Sequence, residues 1–226
     1  MALWKRSAAR SISPVLANIY LHYALDLWFE RKVKPKLKGR AMLIRYADDF
    51  VVAFQYRDEA MAFYRELPAR LEKFNLTVAP EKTAIRRFSR FHPGQNRCFE
   101  FLGFQFYWYV DFSREPRLRR RTSTKKHKAT LKEMTTWTKV NRHDRLNHFM
   151  CQLKRKIDGF RNYFALPDNS LSVGRIYDHI LHSLFKWLNR RSQRRSFNWH
   201  GLKEVLKYYR VEPMTVRKRH ITVDWY

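Results

Sequence analysis

Residues 41–56, AMLIRYADDFVVAFQY, decide how the rest of the chain is read. Two short runs of β-forming residues flank Asp48-Asp49, a pattern that predicts a hairpin with both carboxylates at its tip. Alternation along the strands aims the two side chains in different directions, and the apolar flanks predict that they emerge from a buried sheet. Adjacent aspartates are common in turns. These two stand in a chain of 226 residues with 47 Lys and Arg against 20 Asp and Glu, a net charge of +27. Carboxylates in so positive a setting suit hard, oxygen-liganded Mg²⁺ acting on phosphate, while the basic residues hold a polyanion.

Working outward, ISPVLANIYLHYALDLWF (12–29) repeats apolar residues at three and four, with Ser13 as N-cap and Pro14 in the first turn, which predicts one helix ending near Glu30. KVKPKLKGR (32–40) is expected to be a basic loop. Arg57 to Phe74 reads as an amphipathic helix containing Pro68, TVAPEKTAIRRF (77–88) as a turn feeding a strand, and CFEFLGFQFYWYV (98–110) as an aromatic strand with a turn or bulge at Gly103. Asp111 to Arg121 is charged and aperiodic, so the domain boundary is placed there. After it come four expected helices, Thr124 to Val140, Asp144 to Phe164, Leu171 to Arg194 and Trp199 to Tyr209.

The expected fold is therefore α+β, a mixed domain over 1–110, a basic linker or hairpin over 111–123, and an all-α basic domain over 124–226. Charge divides unevenly between them. Residues 1–110 carry 19 basic and 10 acidic residues, or +9, and the remainder carry 28 and 10, or +18. On the third expected helix, Val173, Ile176, Ile180, Leu184 and Trp187 share one face, and Arg175, His179, His182, Lys186 and Arg190 the other. An unpaired basic stripe repels itself unless a polyanion neutralises it.

Composition excludes several classes. With 45% hydrophobic and 16% aromatic residues and only six Gly and eight Pro, the chain can bury a core and is not a disordered basic tail. No run approaches the roughly 18 apolar residues of a spanning helix, so no membrane partner is expected. Cys98 and Cys151 are too few and too far apart for a zinc module or disulfide framework, which fits a reducing, cytoplasmic compartment.

Taken in order, the motifs resemble one family. YADD (46–49) between its strands resembles the catalytic hairpin of reverse transcriptases. SPVLANIYLHYALDLWF (13–29) resembles the palm helix before that hairpin in proteins encoded by bacterial group II introns, and PEKT (80–83) with FEFLGFQFYW (99–108) resembles their next palm elements. KRKIDGFRNYF (154–164), GRIYDHILHSLFKWLNRRSQRRSFNWHGL (174–202) and LKYY (206–209) resemble the thumb, or maturase-specific domain X. The resemblance implies RNA-directed DNA synthesis on a two-metal Mg²⁺ site, with Asp48 as a ligand and Asp49 as ligand or positioning group. It implies Lys82 as the acid for the leaving group, Tyr46 at the primer end, and Leu102, Gly103 and Phe104 supporting the primer strand. The implied partners are group II intron RNA and a DNA primer or target. Phosphate contacts are expected from Arg119, Arg120, Arg121, Lys125, Lys126, Arg175, Lys186, Arg190, Arg191, Arg194 and Arg195, with Trp199 able to stack on bases.

Three elements of the family's pattern are missing. The palm's other metal-binding aspartate lies on a strand well before the hairpin, and the template motif and fingers precede it. Before Asp48 the only acidic residues are Asp26 and Glu30, both on the expected helix. The sequence is thus expected to be a C-terminal portion, with a second chain as a possible source of the fingers and the missing strand. The alternative function is an RNA-binding maturase fragment without catalysis.

Overall fold

The computed structural model describes residues 13–91, 97–193 and 196–216. The chain divides into two compact units between Phe88 and Ser89.

In the first unit, α1 (Ser13–Leu21) does not end near Glu30. It runs on through two π-helical turns, His22–Asp26 and Phe29–Val33, and a 3-10 turn, Lys34–Lys36. The expected basic loop therefore begins only after Lys36, because the apolar spacing Leu25, Phe29, Val33 continues the buried face past Glu30. Strands β1 (Ala41–Tyr46) and β2 (Asp49–Phe54) pair antiparallel from Ala41↔Phe54 to Tyr46↔Asp49. Helix α2 (Arg57–Glu72) follows, with Pro68 inside it. Leu25, Phe29, Val33, Phe63, Leu67 and Leu71 form the core, and Leu43, Phe50, Val52 and Phe54 pack onto it from the sheet.

Among the described residues only one face of that sheet is covered. Met42, Ile44 and Tyr46 are exposed on the other, so the hairpin does not emerge from a sheet buried on both sides. The strand expected after PEKT is absent: among the described residues the β1–β2 sheet has two strands, and residues 83–89 find no ladder to join.

The second unit opens with a three-stranded antiparallel sheet, β3 (Phe99–Phe101), β4 (Phe104–Val110) and β5 (Pro116–Thr122). The stretch expected to be a basic linker or hairpin is the turn and second strand of a long hairpin, registered from Val110↔Pro116 to Phe104↔Thr122. Its basic residues conceal a strand because every second one points away from the core. Helices α3 (Thr124–Val140), α4 (Leu146–Phe164), α5 (Ser170–Leu188) and α6 (Trp199–Tyr208) complete the unit. Their core includes Phe149, Met150, Leu153, Ile157, Val173, Ile176, Ile180, Leu184, Leu188 and Leu202, and Phe104 of β4 is part of it.

Asn169, 1% exposed between α4 and α5, fastens sheet to helices. Its Oδ1 accepts from the Thr122 backbone N–H at 2.7 Å, and its Nδ2 donates to Thr122 Oγ1 at 2.8 Å and to the Phe164 carbonyl at 2.9 Å. The aromatic strands thus pack with the helices and not with the Asp48-Asp49 hairpin, and the break between compact units falls at 88/89. No helix among the described residues is long and apolar enough to cross a membrane.

Candidate functional site

Tyr46 and Asp49 close the first hairpin, leaving Ala47 and Asp48 as a two-residue loop. Such loops need positive φ to match strand twist, and Ala47 adopts φ 54° without being glycine. That conformation costs about 1 kcal/mol for a residue with a Cβ. Asp48 is exposed at the loop. Asp49 begins β2 and, being paired with Tyr46, shares the open face with Tyr46 and Ile44.

What holds this loop is a residue sequence reasoning passed over. Arg45 points to the core side of β1, with its side chain 13% exposed, and meets Asp26 in a bidentate pair, Nε to Oδ1 at 2.8 Å and Nη2 to Oδ2 at 2.7 Å. Its Nη1 donates to the Ala47 carbonyl and to Asn18 Oδ1, both at 2.9 Å. One guanidinium therefore ties the carboxylate loop to the long helix. Burial alone would raise the Asp26 carboxyl, but hydrogen bonds and charge from Arg45 and His22 outweigh it and hold Asp26 below the usual carboxylate range. The bond to Asp26 pushes the Arg45 guanidinium higher still. The legible signal was a charge at an inward position of the alternating run AMLIRY.

Relieving the loop strain is a direct check on its geometry. Ala47→Gly is expected to raise stability by about 0.5 kcal/mol, the strain relief being partly offset by glycine's greater freedom in the unfolded chain. Urea denaturation measures it, and a loss above about 1 kcal/mol would contradict the left-handed loop.

Asp48 and Asp49 are two carboxylates, and among the described residues no group of three or more His, Cys, Asp or Glu could hold a metal ion. By themselves they do not make a closed metal site. They fit an ion held by one or two carboxylates and completed by substrate phosphates, which is how Mg²⁺ is commonly bound. Lys82 ends a 3-10 turn (Pro80–Lys82) and is exposed, and no described hydrogen bond or ion pair joins it to either aspartate.

The remaining predicted residues lie in the second unit. Leu102 and Gly103 form the β3–β4 loop, both at positive φ, 51° and 77°. Gly103 suits that conformation, and a Cβ there would also meet Phe164 at 3.4 Å. Phe104 is buried, packed on Tyr163 and Phe164, so it supports the loop from beneath and offers no surface to a strand. Tyr163 donates to the Leu102 carbonyl at 3.0 Å.

Along β4 and β5, Gln105, Tyr107 and Tyr109 share the face away from the core with Arg121, Arg119 and Arg117. The Arg119 guanidinium lies 4.0 Å from the Tyr109 ring centre and Arg121 lies 5.1 Å from that of Tyr107, each arginine leaning one rung from its paired residue. This ladder of rings and guanidinium groups offers stacking surface and positive charge together. The tyrosines are hidden from sequence reasoning because their place opposite the arginines depends on register. Arg120 faces the other way, 3.4 Å from Asp168, and is already paired.

Lys125 and Lys126 are exposed in the first turn of α3, which contains no acid, although a helix N-terminus disfavours cations. Arg175 is exposed on α5. His179, expected on the solvated face, instead bonds Thr135 of α3 at 2.8 Å. Burial, then the charges of Arg175 and His179, hold His127 below the usual imidazole range. Arg191 donates to the Asp144 carbonyl ahead of α4, a structural role. Arg194 and Arg195 lie outside the described residues. Trp199 stacks flat on Phe185 at 4.1 Å and meets His182 edge-on, yet stays 39% exposed.

Comparison with known families also divides the chain in two, but not at the break between the compact units. Residues 10–106 match the reverse transcriptase (RNA-dependent DNA polymerase) family, and residues 124–205 match the group II intron maturase-specific domain. No match is found among curated proteins.

Proposed function

We propose a function from one premise: the chain belongs to the group II intron reverse transcriptase/maturases, carrying part of the polymerase segment followed by the maturase-specific domain. Members of this family bind intron RNA, and their nucleotidyl transfer usually uses Mg²⁺. In this chain the polymerase segment is taken to run through residue 110 and the maturase segment from residue 124, with the basic hairpin 111–123 between them. The second unit holds RNA through its surface cations and exposed rings. The observation that carries this reading is the Arg–Tyr ladder on β4 and β5, which sets charge for phosphates beside rings for bases.

Asp48 and Asp49 are the groups proposed to hold Mg²⁺, which when bound activates a primer hydroxyl and stabilises a leaving pyrophosphate. Arg45 fixes the loop that presents them, and Tyr46 on the same open face is proposed to abut the primer end. Lys82 is proposed as the proton donor to the leaving group, and the Leu102-Gly103 loop as a primer-strand support. Two free cysteines agree with work in a reducing, cytoplasmic interior.

The second reading, RNA binding without polymerisation, is favoured by the lack of a third described carboxylate beside Asp48 and Asp49. Primer extension on an RNA template with Mg²⁺, run beside Asp48→Asn, decides between the two. Extension lost in the variant supports the metal role, and extension that survives the substitution excludes it. Tight, salt-sensitive RNA binding without extension in either protein supports the second reading.

A further inference from the structure

Four cations converge on one indole where α3 and α5 end. Lys139 Nζ lies 5.5 Å from the centre of the Trp187 ring and Lys186 Nζ 5.4 Å, while the guanidinium carbons of Arg142 and Arg190 lie at 5.5 and 5.6 Å. Lys139 is in the last turn of α3, Arg142 in the 3-10 turn Asn141–His143 beyond it, and Lys186 and Arg190 flank Trp187 on and just past α5. Groups this close to a common point are at most about 11 Å apart, near the Debye length of about 10 Å at 0.1 M salt, so all four repel one another effectively.

The structure provides too little to offset them. Among the described residues none of the four joins an ion pair. The two helix C-termini contribute about half a negative charge each, which leaves roughly three positive charges uncompensated. Attraction to the ring adds about 0.5–1 kcal/mol for a cation at an exposed site, but that does not remove the repulsion between cations sharing one ring. A folded chain that gathers such a cluster is built to receive an anion with several charges at short intervals.

We infer that the Trp187 cluster is a seat for consecutive backbone phosphates of RNA, a discrete site within the surface proposed above. The inference rests on that proposed RNA binding. A nucleic-acid strand carries one charge per about 3.4 Å of axis, so a span of about 11 Å faces roughly three phosphates, matching the uncompensated charge. Arg142 also donates to the Lys139 carbonyl at 3.1 Å, which fixes the α3 side of the seat. Trp187 serves as the pedestal that holds the four cations together. The basic stripe of α5 is completed here by the end of α3, a neighbour that helical periodicity does not show.

The test uses the full chain and an oligouridylate strand, with affinity measured across a salt series. The triple variant K139Q/K186Q/R190Q leaves Arg142 and its helix-end hydrogen bond intact. A control, K32Q/K36Q/K73Q, removes the same charge from exposed positions of the first unit. Each phosphate that is no longer neutralised should lower the slope of log affinity against log salt by about 0.7, so the triple variant is expected to drop by about 2 in slope and at least tenfold in affinity at low salt. The control is expected to change affinity less than threefold. Steep binding by the unmodified chain that the triple variant weakens no more than the control overturns the phosphate seat while leaving RNA binding standing. Salt-independent or absent binding by the unmodified chain overturns the RNA-binding reading itself. Thermal melts check folding, and Lys186→Gln alone, at an exposed site, is expected to lower the slope by about 0.7 should the triple variant fold poorly.

Discussion

Asn169→Leu is expected to lower the unfolding free energy of the helical unit by about 3–4 kcal/mol. The substitution removes one acceptor and two donations at a site 1% exposed, leaving the Thr122 N–H, the Thr122 hydroxyl and the Phe164 carbonyl without their partner. Each buried polar group left unpaired costs about 1–3 kcal/mol, and leucine, although similar in size, can satisfy none of them. Asn169→Asp keeps an acceptor for the Thr122 N–H but loses both donations, so a smaller loss is expected. Urea denaturation followed by far-ultraviolet circular dichroism measures both. A change below about 1 kcal/mol for the leucine variant would mean that the sheet is held to the helices by Phe104 and its aromatic neighbours alone.

Arg45→Ala is expected to cost the first unit about 2–3 kcal/mol and to free the carboxylate loop from the long helix. Charged hydrogen bonds contribute about 1.5–3 kcal/mol, and the alanine variant leaves Asp26 half-buried without its main partner. Arg45→Lys is not expected to rescue it, since an ammonium cannot span both oxygens of Asp26 while also reaching the Ala47 carbonyl. The pair has a pH signature of known sign. Because the folded state holds Asp26 below its ordinary value of 3.8, its contribution is complete above that value and is lost as pH falls through the depressed one. Stability measured from pH 6 downward should therefore fall more steeply in the unmodified chain than in Asp26→Asn. Identical acid profiles would show that the pair contributes nothing to folding. Amide exchange across residues 41–54 should speed up in Arg45→Ala, and unchanged protection there would contradict the tie.

The helices of the second unit are legible because their apolar residues recur with helical period over long stretches. Thr124–Val140 is observed as expected, and the others differ mainly at their ends. The Asp48-Asp49 hairpin is legible for a similar local reason, an alternating run on each side of a turn-forming pair. Features that depend on register or on distant partners are hidden. The strand Pro116–Thr122 is legible only as a basic linker or hairpin because its core-facing contribution is sparse and its outward residues are arginines. The first helix outruns its expected end at Glu30, since Val33 extends the buried face of Leu25 and Phe29 into a stretch whose many basic residues read as a loop. In the candidate site, the aspartates can be named from the motif, whereas Arg45 and Trp187 acquire their roles only from residues 19 and 48 positions away, Asp26 and Lys139. The reverse-transcriptase match continues to residue 106, yet Phe99–Phe106 belong to the second compact unit, so the family match and the compact units divide this chain at different places.

The anchoring of Leu102 and Gly103 has a mechanical meaning. Their loop is bonded to Tyr163 and to Ser123, and it rests on Phe104 and Phe164 of the helical core. The loop is therefore expected to move with that core. A force applied to the helices is expected to shift this loop along with them.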